Sequence, residues 1–169
     1  MEVKEIRLQA DGLELAGELH IPSRDKVHPA LCICHGIPAV PHNPTDRGYT
    51  LLAQRFCHAG FITLIFNFRG TGKSEGNLDI LGWSRDLQAA LDFLYDLKEV
   101  DKTRFCLLGF SGGAAVSVYT AAHDPRISSV VTCPALRTFA LSLREKRLWT
   151  PSNGFAKSGP SGIRISHLQ

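Results

Sequence analysis

The sequence predicts a single α/β domain: a mostly parallel sheet with helices on both faces, entered through an N-terminal β-hairpin. Three observations predict it. Short continuous apolar runs recur at residues 30–34, 61–68, 104–108 and 127–132, the pattern of strands buried on both faces. Helix-compatible segments alternate with them, and that alternation specifies parallel pairing through crossovers. The first three runs end in glycine-bearing loops, at His35-Gly36, Arg69-Gly70 and Gly109-Phe110-Ser111-Gly112-Gly113. Ligands in such sheets bind beyond the carboxyl ends of the strands, so the three loops converge on one edge.

Each element has its own signal. Residues 4–22 alternate around Asp11-Gly12, with Ile6 and Leu8 before the pair and Leu13, Leu15 and Leu19 after it, which predicts a hairpin. Residues 39–48 are proline-bearing and aperiodic, and read as loop. Residues 49–58 carry Leu51, Leu52 and Phe56 at helical spacing, with Gly60 as a stop. The clearest helix is predicted over residues 83–100, where Leu87, Ala90, Leu91, Leu94 and Leu97 share one stripe. A small-residue helix over residues 114–122 ends at Asp124-Pro125, because proline disfavours helix in the residue before it.

Composition bounds the function. A chain of 169 residues suits one domain, and a formal charge of +3 with dispersed basic residues leaves no nucleic-acid footprint. No run reaches transmembrane length and the N-terminus has no apolar signal core, so a cytoplasmic protein without membrane contact is expected. Of five cysteines, Cys32, Cys34, Cys106 and Cys133 fall in strand-like runs and Cys57 in a helical one; all are expected to be reduced, buried hydrophobes. Cys32-x-Cys34 has no second pair at ligand spacing, so no metal is expected. Gly72-Lys73-Ser74 lacks the earlier glycine of a phosphate-binding loop, since position 67 is Asn67, and no helix follows it directly.

The chemistry is signalled at Gly109-Phe110-Ser111-Gly112-Gly113. An apolar strand leads in, a small-residue helix leads out, and a serine stands at the apex, the arrangement of a nucleophile elbow. Glycines around the serine let strand and helix approach a strained turn. The helix directs its N-terminal N–H groups toward negative charge formed at the serine. The same pentapeptide also reads as a glycine-rich turn without chemistry, and the order of the surrounding loops separates the two. From His35-Gly36, Asn67–Gly76 and the elbow, in that order over residues 3–132, the chain resembles the α/β-hydrolases. It is most similar to their compact esterase, dienelactone-hydrolase-like and serine-aminopeptidase-like branches. The resemblance implies Ser111 as nucleophile, with backbone N–H groups of Ile37, Gly36 and Gly112 as the oxyanion hole. It further implies acyl transfer from a small-molecule ester, thioester or amide without metal or organic cofactor. Asn67 stands where relatives often carry Asp, at a structural loop position.

In that fold an acid and then a histidine follow the nucleophile. Here the pattern departs. His123 lies about 12 residues beyond Ser111 along a helix, some 18 Å away at 1.5 Å per residue. His167 lies in a segment without a predicted strand, and His35 belongs to the oxyanion loop. Asp124 and Glu145 carry no motif, so triad acid and histidine stay unassigned. Residues 1–134 are expected to form a partial core with its last strands missing and an unpaired edge near Thr132. Residues 135–169 read as an irregular tail, with a short basic helix at 141–148. Synonymous codons for residues 155–169, read one base earlier, encode a segment like the cap regions of these hydrolases, so truncation or a frameshift is expected. Two functions follow: a serine hydrolase inactive as this chain, or a non-catalytic binding module on the same scaffold.

Overall fold

The computed structural model describes residues 1–38 and 48–133, together with the backbone of 164–167. In chain order the elements are β1 (Glu2–Ala10), β2 (Leu13–Ile21), β3 (His28–Cys34), α1 (Gly48–His58), β4 (Ile62–Phe66), α2 (Trp83–Asp96), β5 (Val100–Phe110), α3 (Gly112–His123), β6 (Ser129–Cys133) and β7 (Arg164–His167). They form one seven-stranded sheet ordered β1-β2-β4-β3-β5-β6-β7. The hairpin is antiparallel, β2 runs antiparallel to β4, and the remaining pairs are parallel. The hairpin turns where expected: Asp11 and Gly12 both have positive φ, 51° and 78°, the backbone of a two-residue turn whose twist matches its strands.

Side chains alternate across the sheet and build two apolar layers. One face of β3 and β4 presents Cys32, Cys34, Ile62 and Leu64 to Trp83, Leu87 and Leu91 of α2 and Val116 of α3. The other presents Leu31 and Ile33 to Ala53 of α1, with Leu52, Phe56 and Phe61 around them. Three cysteines are buried as expected, whereas Cys106 and Cys133 are half-buried; all five are free thiols.

Two differences from the sequence reading have physical causes. The apolar stripe of α2 continues to Leu97, but the helix ends at Asp96 and Leu97 is extended (φ −70°, ψ 128°). The Glu99 carbonyl accepts the His28 N–H at 2.8 Å, and Val100 pairs with His28, so sheet pairing takes over from helical periodicity. At the other end, residues 164–167 form a strand, and β6 is not an unpaired edge: Ser129–Thr132 pair in parallel with Arg164–His167. The four residues Arg-Ile-Ser-His are too short and polar to announce a strand. The expected short helix at 141–148, Glu145 and the rest of the tail lie outside the described residues.

The loop after β4 is held by a buried ion pair. Arg69, 6% exposed, meets the fully buried Asp86 of α2 through Nε (2.9 Å), Nη2 (2.6 Å) and its backbone N–H (2.8 Å). The hairpin-turn residue Asp11 accepts from Arg69 Nη2 at 2.8 Å and also from Arg85. Ser74 donates to the Asn67 carbonyl and accepts the Ala16 N–H, so the Gly72-Lys73-Ser74 stretch is stitched to β2. Removing one partner of a buried pair strands the other charge, at a cost of about 3–5 kcal/mol. Asp86→Ala is therefore expected to lower the unfolding free energy by about that amount in urea denaturation; a loss within error of zero would show that water reaches Arg69.

Candidate active site

Ser111 sits between the end of β5 and the start of α3 with φ 49° and ψ −116°, a left-handed conformation unusual for a residue with a side chain. Its side chain is exposed, as the apex of a tight strand-to-helix turn should be. Close approach explains the flanking glycine: a Cβ on Gly113 would fall within 2.5 Å of the Cys34 carbonyl oxygen. The first turn of α3 thus rests directly on the end of β3. The Ser111 N–H donates to the Cys133 carbonyl at 3.0 Å, tying the apex to β6.

The loop after β3 lies against this apex. A Cβ on Gly36 would stand 2.9 Å from Ser111 Cβ and 3.5 Å from its Oγ. Ile37, half exposed, packs over Gly112, where an added Cβ would meet its Cγ1 at 3.2 Å. Gly36, Ile37 and Gly112, drawn from two loops far apart in sequence, are therefore neighbours of Ser111. Among the described residues, the backbone N–H groups of Ile37 and Gly112 have no intramolecular acceptor. Unfilled donors at a helix N-terminus favour an anion.

His35 holds that loop. Its Nε2 accepts the Phe68 N–H at 3.1 Å, which makes Nδ1 the protonated nitrogen, donating to the Gly36 carbonyl at 2.6 Å. The ring stands edge-on to Phe68 (5.2 Å) and Trp83 (5.6 Å), which stack on each other at 4.4 Å. Burial pushes its pKa below the ordinary histidine value, against the opposing pull of the Gly36 carbonyl. Both nitrogens are engaged, so His35 is a neutral structural group. The Arg69 side chain points inward to Asp86, so the third loop contributes scaffold to this edge rather than a reacting group.

The other predicted positions separate clearly. His123 is exposed at the far end of α3 and donates to the Tyr119 carbonyl at 2.7 Å. Asp124 is buried; burial raises its pKa, but hydrogen bonds from Arg126 outweigh this and hold the carboxyl below its usual range. Both are committed away from Ser111. The backbone of His167 lies opposite Thr132, which itself lies opposite Gly109, so β7 brings it to the same sheet edge. Sequence reasoning missed that placement because no strand signal surrounds it. Among the described residues, no side chain hydrogen-bonds the Ser111 hydroxyl and no cluster of His, Cys, Asp or Glu is arranged to hold a metal. Tyr49, not singled out in the sequence, stands at the same edge: its ring meets Phe110 at 5.4 Å and His35 at 6.2 Å. Its position just after the proline-bearing loop was the only available signal.

A mostly parallel sheet with an exposed serine at a strained strand-to-helix apex defines the α/β-hydrolase class. The chain belongs to that family: residues 29–158 match the alpha/beta hydrolase fold. It is similar to the quorum-quenching protein AidA of Acinetobacter baumannii, at 27% identity over 82% of this chain and 46% of that one. It is also similar to the thiohydrolase apmlB of Arthrinium phaeospermum, at 33% identity over 74% of this chain and 40% of the relative. Among solved structures, XC6422 of Xanthomonas campestris, a serine hydrolase without a lid, superposes with a TM-score of 0.64. That match has 27% identity and covers 78% of this chain and 61% of that one. The chain spans less than half the length of the two sequence relatives. No described helix is long and apolar enough to cross a membrane.

Two outcomes test this geometry. Gly113→Ala drives a methyl into the end of β3 and is expected to cost at least about 1–3 kcal/mol of stability, read by thermal melting; a neutral change would mean that α3 stands off the strand. The second concerns pH. The pKa of His35 is lower folded than unfolded, so between that lowered value and about 6.5 the unfolded chain binds more protons and stability rises with pH. Stability is full above about 6.5 and is lost as pH falls below it. The urea midpoint at pH 5.5 should lie below that at pH 7.5, with a smaller gap in His35→Gln. An equal gap in both proteins would remove His35 from this linkage.

Proposed function

We propose that Ser111 is the nucleophile of a serine hydrolase acting on small-molecule acyl esters, thioesters or amides. The observation that carries this reading is the left-handed, exposed Ser111 with Gly36 against its side chain, a strained turn that a purely structural loop does not require. In the mechanism the Ser111 Oγ attacks the carbonyl carbon as its proton passes to a base. The oxyanion is held by the N–H groups of Ile37 and Gly112, with Gly36 shaping the loop that presents them. The tetrahedral species collapses, the leaving group takes the proton, and water releases the acyl-enzyme by the same steps. His35 does not fit the role of base, since Nε2 already accepts the Phe68 N–H.

Support comes from the family, from relatives that include a thiohydrolase, and from the similarity to a lidless serine hydrolase. The thioester option, already implied by the resemblance, is supported by the name of the thiohydrolase relative. The same reading takes the protein to be cytoplasmic, its cysteines reduced, and its chemistry independent of metal or organic cofactor. A second reading, a binding module that keeps the scaffold without turnover, is favoured by one observation: no described side chain hydrogen-bonds the Ser111 hydroxyl.

A fluorophosphonate probe distinguishes the two, because it reacts with activated serines. With no base assigned to Ser111 in this chain, the hydrolase reading expects slow labelling at one site, lost in Ser111→Ala, and at most residual hydrolysis of p-nitrophenyl acetate, lost in the same variant. Labelling that survives Ser111→Ala would remove Ser111 from the chemistry. A folded wild-type chain in which Ser111 does not label at all would favour the binding module.

A further inference from the structure

Among the described residues, one buried titratable side chain has neither nitrogen hydrogen-bonded: His20, fully buried on β2. Its Nε2 lies 3.3 Å from Glu18 Oε2, within ion-pair reach but off hydrogen-bond alignment. Antiparallel pairing puts Thr63 of β4 and Val3 of β1 opposite His20, and Glu5 opposite Glu18, on the sheet face that α1 packs against. The charged and titratable groups on this side are Glu18 and Glu14 from its own strand, Glu5 and Arg7 from β1, where Arg7 pairs with Glu14, and the buried Cys57 of α1, whose thiol pKa is pushed up by burial; β4 supplies the Thr63 hydroxyl.

Glu18 also faces the other way. Thr50 Oγ1 donates toward both of its carboxylate oxygens, at 3.4 Å each. Thr50 lies in the first turn of α1, which has no acidic residue of its own there. A helix N-terminus favours negative charge, so the β2 carboxylate supplies what the helix lacks. The residue before Thr50 is Tyr49, whose ring borders His35 and Phe110 beside Ser111.

We propose that Glu18 and Thr50 are positioning residues for the Ser111 site: the Glu18 carboxylate fixes the first turn of α1 through Thr50 and so sets the place of the Tyr49 ring against the nucleophile loop. The role rests on reading Ser111 as the reacting group. Its physical basis is competition for one carboxylate. With His20 neutral, Glu18 is available to Thr50 and the helix end; with His20 protonated, the new charge 3.3 Å away draws the carboxylate toward β2. Burial holds the His20 pKa below its ordinary value and the Glu18 charge pulls it back up. The coupling therefore acts below about pH 6.5.

The test needs no turnover. The full chain, with histidine rings and tyrosine rings isotopically labelled, is titrated by NMR from pH 8 to 5. In wild type the Tyr49 ring signals are expected to move with the His20 midpoint. In Thr50→Val, His20 still titrates while Tyr49 stops following it, and Thr50→Ser restores the link. Any part of the Tyr49 shift that follows His35 directly survives in Thr50→Val and is subtracted by it. In Glu18→Gln the His20 midpoint falls further. Tyr49 signals that stay flat through the His20 titration, or that follow it equally in Thr50→Val, overturn the proposal. Fluorophosphonate labelling of the same samples reads Ser111 separately, so failure of the positioning role is distinguishable from failure of the hydrolase reading.

Discussion

Everything at the carboxyl edge of this sheet depends on how closely α3 can approach β3. The chain reverses from strand to helix at Ser111 with φ 49° and ψ −116°, a conformation that neighbouring contacts must over-determine if it is to persist. Three such contacts are present. Gly113 lies on the Cys34 carbonyl, Gly36 lies on Ser111 itself, and the Ser111 N–H is bound to Cys133 of β6. Strands β3, β5 and β6 are thereby locked to one another at the point where the hydroxyl emerges. The unfilled N–H groups of Ile37 and Gly112 follow from the same closeness, since both are brought beside the apex by packing around these glycines.

Residue type alone does not assign a role here; hydrogen-bond occupancy does. His35 stands in the loop that borders Ser111, yet both of its nitrogens are spent on backbone and its ring is enclosed by Phe68 and Trp83. Arg69 stands at the end of β4, and its guanidinium is spent on Asp86 and Asp11. Two polar residues at this edge are thus structural, and they hold the loops that border Ser111. Among the described residues, the carboxyl edge presents backbone amide groups, the Ser111 hydroxyl and Tyr49, over a support of buried charge and aromatic rings.

Much of this arrangement was legible in the sequence because its signals are local. Asp11-Gly12 gives the hairpin, the apolar runs give the inner strands, and the spacing of glycines around Ser111 gives the turn. The signals fail where distant pairing decides. The stripe that ends in Leu97 is helical by pattern, but His28 claims the following backbone for the sheet. Residues 164–167 are a strand only because β6 offers an edge to pair with. The Arg69–Asp86 pair and the His20–Glu18–Thr50 chain join residues whose proximity is created by the fold, and no spacing rule anticipates them. Asp11 was readable as a turn former, while its carboxylate's bond to Arg69 was not.

That last bond bears on where this protein can be divided. The stretch recognised as α/β-hydrolase begins at residue 29, after the whole hairpin. A polypeptide trimmed to the recognised stretch would lose Asp11, the Glu14 and Ala16 backbone partners of the loop after β4, and the β2 neighbour of β4. Arg69 would keep Asp86 but face solvent where Asp11 had been, and β4 would become a bare edge open to pairing with other chains. By these contacts the hairpin belongs with the sheet it flanks, and the start of the family match at residue 29 cuts through that set of contacts.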